Sequence, residues 1–258
     1  MKRMQERRRS MKEKMNKIPV FYACDDNFVK YTMVSLQSMM DHASKEAQYE
    51  IHVLHTNISE EMQKKMHAME NANFSVQFDH VTEYLHSIQE KLPLRDYYSK
   101  TTYFRLFIAE MFPEIDKAIY IDSDTVVLGD IAQLYAYDLG DAYVGACREQ
   151  VMIQEEVYGT YVEKVLGVER DNYFNAGMLV INCEQFRKNH VLEQFMELLP
   201  MYNFVVTQDE DYLNLICHNK VCWLPQKWNV EVFGQIPCRE EEICVLHYII
   251  CLLYTSPS

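Results

Sequence analysis

Two aspartates separated by one serine, Asp122-Ser123-Asp124, directly follow the apolar run Ala118-Ile119-Tyr120-Ile121. The run predicts a strand, which would place both carboxylates at its carboxyl end. Two carboxylates at this spacing can hold one hard divalent cation, because hard cations prefer oxygen ligands. Such a cation can bridge diphosphate oxygens and neutralise the charge on a departing nucleotide diphosphate. An acidic pair in a solvated turn is the simpler interpretation. Other residues of the chain are needed to distinguish such a turn from a metal site.

Further polar motifs follow later in the chain. They are Tyr173-Phe174-Asn175-Ala176-Gly177, Gln208-Asp209-Glu210-Asp211 and His247. Each has a structural interpretation of its own. Asn175 could cap a turn, the acids at 209–211 could begin a helix, and His247 could be a hydrogen-bonded core histidine. Their occurrence in this order favours a shared site over a set of unrelated features.

The elements that must position these residues alternate between strands and helices. Hydrophobic patterning predicts strands at residues 18–22, 49–55, 73–78, 117–121, 142–146 and 177–182. It predicts helices at residues 28–40, 101–111 and 183–201, and another that begins after Ser59 as its N-cap. This alternation is typical of an α/β fold with a largely parallel sheet, in which ligands bind at the carboxyl ends of strands. The polar turns at 24–27 and 122–124 are therefore expected to converge.

The composition is that of one folded domain, with 258 residues of which 48% are hydrophobic. The net charge is −13, and because residues 1–17 carry +6, the remainder of the chain carries −19. An acidic body repels phosphates at long range, so we expect no nucleic-acid partner.

The basic segment at residues 1–17 lacks the apolar region of a secretory signal. We expect a flexible leader there, with a weak peripheral contact to an anionic membrane surface as the alternative. The sequence contains no apolar stretch of the ~18 residues that would span a bilayer. Its eight cysteines form no Cys-x-x-Cys pair, which predicts reduced thiols and a cytoplasmic protein.

Six motifs in this order resemble glycosyltransferase family 8, the retaining family that includes bacterial lipopolysaccharide galactosyl- and glucosyltransferases and glycogenin. The resemblance covers residues 18–248. The motifs lie at residues 21–27, 101–106, 120–124, 173–177, 208–214 and 246–248, and read FYACDDN, TTYFRL, YIDSD, YFNAG, QDEDYLN and LHY.

The resemblance implies a GT-A fold, which is a single Rossmann-like nucleotide-binding domain with a mixed, mostly parallel sheet. It implies UDP-glucose or UDP-galactose as the donor, a glycan or glycolipid as the acceptor, and Mn²⁺ as the cofactor, with Mg²⁺ as the alternative. The implied metal ligands are Asp122, Asp124 and His247, and the implied catalytic candidates are Asp209 and Glu210. The implied nucleotide-sugar contacts are Ala23, Asp25, Asn27, Thr102, Arg105, Asp122, Ser123, Asp124, Asn175, Ala176, Asp209 and Glu210.

The chain departs from the family pattern at two places. Glu210 stands where many relatives carry Gln, so a carboxyl group replaces an amide. The family usually follows its metal-binding His with a Gly and then Lys-Pro-Trp, whose Lys helps to hold the diphosphate. Here His247 is followed by Tyr248 and an apolar run instead. We therefore expect residues 249–258 to be a non-native or truncated tail.

Two other functions fit parts of the sequence. In haloacid-dehalogenase-type phosphatases a strand also leads into Asp-x-Asp, and Asp122 would be the nucleophile. That motif normally lies near the start of its domain, whereas here several predicted elements precede it. The second alternative is a UDP-sugar-binding protein without turnover.

Overall fold

A seven-stranded mixed sheet forms the centre of the structure, a computed structural model that describes residues 17–88, 101–202, 204 and 206–249. In spatial order its strands are β3, β2, β1, β4, β7, β6 and β8. Their bounds are β1 (Lys17–Ala23), β2 (Gln48–His55), β3 (Phe74–His80), β4 (Lys117–Ile121), β6 (Val144–Arg148), β7 (Phe174–Asn182) and β8 (Val221–Trp223).

The sheet is mostly parallel, as the patterning predicted. β1 pairs in parallel with both β2 and β4, β2 with β3, and β6 with β8. β7 is antiparallel to both of its neighbours, β4 and β6. The parallel half places the carboxyl ends of β1 and β4 at the same edge, which is where ligands bind in such sheets.

Helices pack on both faces of this sheet, so successive strand residues enter different cores. In β4, Ala118 and Tyr120 belong to one buried cluster, whereas Ile119 and Ile121 belong to the other. The α-helices are α1 (Val29–His42), α2 (Glu60–His67), α3 (Val81–Ile88), α4 (Ile108–Met111), α5 (Ile131–Tyr135), α6 (Gln150–Gln154), α7 (Glu156–Tyr161), α8 (Cys183–Lys188), α9 (Val191–Leu198) and α10 (Asp209–Cys217).

A second sheet has three strands and includes the last strand of the described chain. It consists of β5 (Thr125–Val127), β10 (Val245–His247) and β9 (Val230–Glu231), with β10 in the middle. His247 lies opposite Thr125 in the antiparallel β10–β5 pair. The amide of Tyr248 donates to Asp124 O at 2.9 Å. This sheet therefore brings the last predicted motif beside the Asp-x-Asp motif.

Two sequence predictions about helices were wrong in detail, whereas the position of Ser59 as an N-cap was confirmed. Residues 101–111 form a 3₁₀ segment, Thr101–Phe107, before the short α4, instead of one α-helix. The predicted helix at 183–201 is divided into α8 and α9, because His190 adopts a left-handed conformation with φ of 54°. Ser59 does precede α2, but its hydroxyl donates to Asp26 Oδ1 at 2.8 Å and makes no capping hydrogen bond.

Several expectations fall on parts of the chain that the structure does not describe. The basic leader lies outside the described residues except for Lys17, and so does the tail except for Ile249. Within the described ranges, none of the helices combines the length and apolar character that crossing a bilayer requires. The seven described cysteines are free thiols, as predicted, and four of them are buried.

Candidate active site

A cavity of about 370 Å³ opens where the carboxyl end of β4 meets β7, β10 and the start of α10. It gathers eight of the predicted site residues: Thr102, Arg105, Asp122, Asp124, Asn175, Asp209, Glu210 and His247. These residues come from five of the six sequence motifs. Their convergence supports a shared site, although the acids at 209–211 also begin a helix and Asn175 also accepts the amide of Gly177, as their structural interpretations predicted.

Asp122, Asp124 and His247 form the one group of potential metal ligands found among the described residues. Each of the three offers a ligand atom, and these atoms all lie within 4.8 Å of one another. His247 Nε2 is 3.3 Å from Asp124 Oδ1 and 3.9 Å from Asp122 Oδ2. Two carboxylates and one imidazole suit Mn²⁺, which accepts both oxygen and nitrogen ligands. The donor set therefore fits the cation that the sequence predicts.

The backbone at Gly177 leaves room for this group. A methyl group at that position would collide with the imidazole of His247 and would lie 2.6 Å from Asp122 Oδ2. Gly177 also accepts, through its carbonyl, the amide of Asp122 at 2.7 Å. A glycine is thus required because a side chain would occupy the space between two of the metal ligands.

Charge within the triad agrees with a shared cation. Burial of the His247 imidazole disfavours its charged form, but the hydrogen bond and charge of Asp124 outweigh burial, so the pKa of His247 is raised. Burial raises the pKa of Asp124, but the same contact with His247 outweighs it, so that pKa is lowered. Without a metal the two groups therefore stabilise opposite charges, and a cation bound by His247 would replace the proton on its imidazole.

Arg105 connects the metal ligands to the acids at the start of α10. Its Nη2 donates to Asp122 Oδ1 at 3.1 Å, and its Nη1 donates to the carbonyl of Ala176. Its Nε donates a hydrogen bond to Thr102 O. The same Nε lies 2.9 Å from Asp209 Oδ2, and since its N–H is used by Thr102, this second contact is an ion pair without a hydrogen bond. Burial opposes the charge of Arg105, but Asp122 and Asp209 raise its pKa.

Buried carboxyl groups also line the cavity, among them Glu149, Asp209 and Glu210. Burial raises the pKa of Asp209 to about 6, against the lowering effect of Arg105. Burial and the charge of Glu149 raise the pKa of Glu210 well above its usual range. Glu210 Oε2 accepts the backbone N–H of Ala176 at 2.7 Å. Glu210 is therefore held in place by the backbone and favoured in its neutral form.

Five predicted nucleotide contacts do not line this cavity: Ala23, Asp25, Asn27, Ser123 and Ala176. Asp25 organises its own turn by accepting the amides of Asn27 and Phe28. The hydroxyl of Ser123 lies 2.7 Å from the hydroxyl of Thr32 in α1, the helix that follows the turn at Asp25. The two polar turns are therefore adjacent, as expected. A nucleotide role for these residues stays a prediction.

Sequence reasoning missed other residues of the cavity wall, among them Glu149 and Thr207. Glu149 caps α6 by accepting the amide of Met152 at 2.6 Å, and it also faces the cavity. Its place directly after β6 is the signal that could have revealed it, because polar residues after strands marked the other motifs. Thr207 has no such signal, since it lies in an irregular segment before α10.

Comparison with known proteins gives a consistent result. The profile of Glycosyl transferase family 8 matches residues 19–250. A Haemophilus influenzae protein named as a glycosyltransferase is 28% identical over 93% of this chain and 71% of its own length. The lipopolysaccharide 1,2-glucosyltransferase of Escherichia coli K12 is 26% identical over 54% of this chain and 40% of its own length. The galactosyltransferase LgtC, solved with donor and acceptor sugar analogues, has 25% identity and a TM-score of 0.72, over 90% of this chain and 87% of LgtC.

Proposed function

The chain belongs to glycosyl transferase family 8, and we propose that it transfers glucose or galactose from a UDP-sugar to a glycan or glycolipid acceptor, with retention of anomeric configuration and with Mn²⁺ as the cofactor. Its architecture is the GT-A fold. The observation that carries the proposal is the single cavity lined by Asp122, Asp124, His247, Arg105 and the acids of α10. A membrane-associated lipopolysaccharide acceptor would agree with the relatives.

The metal side of the cavity would receive the diphosphate. Asp122, Asp124 and His247 would hold the cation, which when bound neutralises negative charge on the leaving group. Arg105 is already paired with Asp122 and Asp209, so its first role is to fix these two carboxylates in position. This geometry separates a cationic side for the diphosphate from an acidic side for the sugar.

The acidic wall would receive the hexose, with Asp209 and Glu210 as the candidate catalytic residues. Retention requires either a carboxylate nucleophile or departure and attack on the same face of the sugar. The neutral form that burial favours makes Glu210 a poor nucleophile. A neutral carboxyl can instead donate a hydrogen bond to a sugar hydroxyl, as the amide found in many relatives could. This supports a sugar-binding role for Glu210.

We expect Glu210→Gln to retain a substantial fraction of wild-type turnover, because the amide matches a neutral carboxyl in size and in hydrogen bonding. Wild-type turnover should fall as pH rises through the raised pKa of Glu210, whereas the variant has no such proton to lose. Steady-state rates measured across a pH series would therefore decrease at high pH in the wild type and decrease less in the variant.

Loss of an essential nucleophile would have a different result. Turnover would collapse by about 10⁴-fold while UDP affinity stayed unchanged. That outcome would make Glu210 the nucleophile. Glu46→Gln provides a matched control, since Glu46 lies outside the cavity.

The activity itself is best tested with a panel of nucleotide sugars in the presence and absence of Mn²⁺. We expect UDP-glucose or UDP-galactose to raise the melting temperature and to be hydrolysed slowly to a sugar of retained configuration, as observed by NMR. Stabilisation by UDP without any hydrolysis or transfer would instead support the binding-protein alternative. Stabilisation by nucleotides of another base would contradict the assignment of UDP.

The phosphatase alternative is not supported. The family model that matches residues 19–250 is that of a glycosyl transferase family. In addition, Asp122 Oδ1 accepts hydrogen bonds from Tyr120 at 2.7 Å and from Arg105. The motif therefore contacts Arg105, a residue that the phosphatase interpretation leaves without a role.

A further inference from the structure

A chain of buried hydrogen bonds runs from the backbone to the far side of the His247 ring. The amide of Gly177 donates to Asn175 Oδ1 at 2.9 Å. Asn229 Nδ2 donates to the same oxygen at 2.8 Å, and Asn229 Oδ1 lies 3.1 Å from His247 Nδ1. Asn229 is fully buried, and the other two side chains are at most 5% exposed.

The direction of each bond follows from the first one. A backbone N–H can only donate, so the atom of Asn175 that faces Gly177 must be its oxygen. An oxygen can only accept, so Asn229 must present its NH₂ group to Asn175 and its own oxygen to His247. The nitrogen of His247 that faces this oxygen must then carry a proton. The backbone amide of Gly177 therefore fixes the orientation of both side-chain amides and determines which nitrogen of the imidazole carries a proton.

We propose that Asn229 is a positioning residue for the metal site, and that with Asn175 it fixes His247 as the Nδ1–H tautomer with Nε2 directed at Asp122 and Asp124. The inference rests on the proposed metal site. In the neutral ring Nε2 then carries a lone pair on the side where the two carboxylates lie. Partners of this kind on the remote nitrogen of a metal-binding His orient the ring and increase its basicity.

The main chain alone does not supply this orientation. Pairing of β10 with β5 and β9 places the backbone of His247, and Gln226 Nε2 donates to the carbonyl of Asn229 at 2.9 Å. These contacts leave the rotation of the imidazole about its side-chain bonds unspecified. The amide of Asn229 supplies the remaining constraint.

The tautomer can be read directly in the metal-free wild-type protein by long-range ¹H–¹⁵N NMR. The measurement is made at a pH above the raised pKa of His247, located by following its ¹⁵N shifts as the pH rises, so that the ring is neutral. We expect His247, assigned by the loss of its signals in His247→Gln, to carry its proton on Nδ1. A proton on Nε2 would overturn the proposal. This measurement needs neither metal nor substrate, so it can fail or succeed independently of the proposed function.

Two variants at the same position separate orientation from packing. Asn229→Leu fills a similar volume but accepts no hydrogen bond, and we expect Mn²⁺ affinity, measured by electron paramagnetic resonance of the free ion, to fall about 10- to 100-fold. Asn229→Asp keeps an oxygen towards His247 whether it is ionised or neutral, and when neutral it can also donate to Asn175. We therefore expect Asn229→Asp to retain most of the affinity.

Asn189→Leu is the matched control and should leave Mn²⁺ affinity unchanged, because among the described residues the side-chain amide of Asn189 bonds only with Gln185 in α8. Wild-type affinity in a folded Asn229→Leu protein would contradict the proposal, as would equal losses in the Leu and Asp variants. If the wild type itself bound no Mn²⁺, the metal part of the proposed function would fail, whereas the tautomer would still be measurable.

Discussion

Asp124→Asn is expected to abolish the manganese-dependent stabilisation by UDP and to lower turnover by about 10³-fold or more. The substitution removes one negative charge and one oxygen ligand from a group whose ligand atoms lie within 4.8 Å of one another. The amide could also donate to His247 Nε2, 3.3 Å from Asp124 Oδ1 in the wild type, and so occupy the nitrogen that the cation needs. The loss should therefore exceed that of a single charge.

Thermal unfolding would measure the binding part of this effect. A ligand at about 100 times its dissociation constant stabilises a protein by about 2.7 kcal/mol, or roughly 5 to 10 °C in melting temperature for a chain of this size. We expect that shift for the wild type with UDP and Mn²⁺, and almost none for Asp124→Asn. Without ligands the two proteins should melt at similar temperatures, because the Asp124 side chain is partly exposed.

Asp141→Asn is the matched control for this prediction. Asp141 lies on the surface, where it pairs with Lys220 at 2.7 Å, and it does not line the cavity. Its variant should respond to UDP and Mn²⁺ like the wild type. An undiminished shift in Asp124→Asn would remove the assignment of the metal site.

Arg105→Met is expected to have the largest effect on stability, a loss of about 3 to 5 kcal/mol in the free energy of unfolding. Arg105 is buried between Asp122 and Asp209, and its removal leaves their charges uncompensated. It also removes the hydrogen bonds to Thr102 O and Ala176 O. Denaturant unfolding would measure the loss.

The loss in the free energy of unfolding of Arg105→Met should depend on pH. With Arg105 present, burial already raises the pKa of Asp209 to about 6. Without Arg105 that pKa rises further above the unfolded value of about 3.9. A buried acid with a raised pKa destabilises the fold increasingly as pH rises above the unfolded pKa. The difference between the two proteins should therefore be smaller below about pH 6, where Asp209 is protonated in both folded proteins, and should grow as the pH rises above 6.

Arg105→Lys tests whether charge alone is sufficient. Lysine keeps the positive charge but loses the planar fork that reaches both carboxylates at once. We expect a stability between those of the wild type and Arg105→Met. If both variants were as stable as the wild type at pH 7, the ion pairs would have no stabilising role.

The sequence by itself determined the chemistry of the site and most of its local supports. The carboxylate pair is a property of residue type and spacing, so Asp122 and Asp124 could be selected from the sequence itself, whereas Arg105 and Glu210 were selected through the family resemblance. Strand positions followed from apolar runs, because burial on both faces of a parallel sheet leaves a local signature. The family resemblance then supplied the role of His247, which its apolar surroundings alone could not distinguish from that of a core histidine.

Only the tertiary structure decided what these groups contact. Pairing of β10 with β5 brings His247 to Asp124 across nearly half of the chain, and the requirement for a glycine at 177 appears only when both candidate ligands face it. The division of α8 from α9 at His190 was also hidden, because the amphipathic pattern continues across the break. Periodicity reports which residues are buried, whereas strand order, register and the direction of a hydrogen bond depend on partners distant in the chain. For that reason the link from Gly177 through Asn229 to the imidazole became visible only in the folded protein.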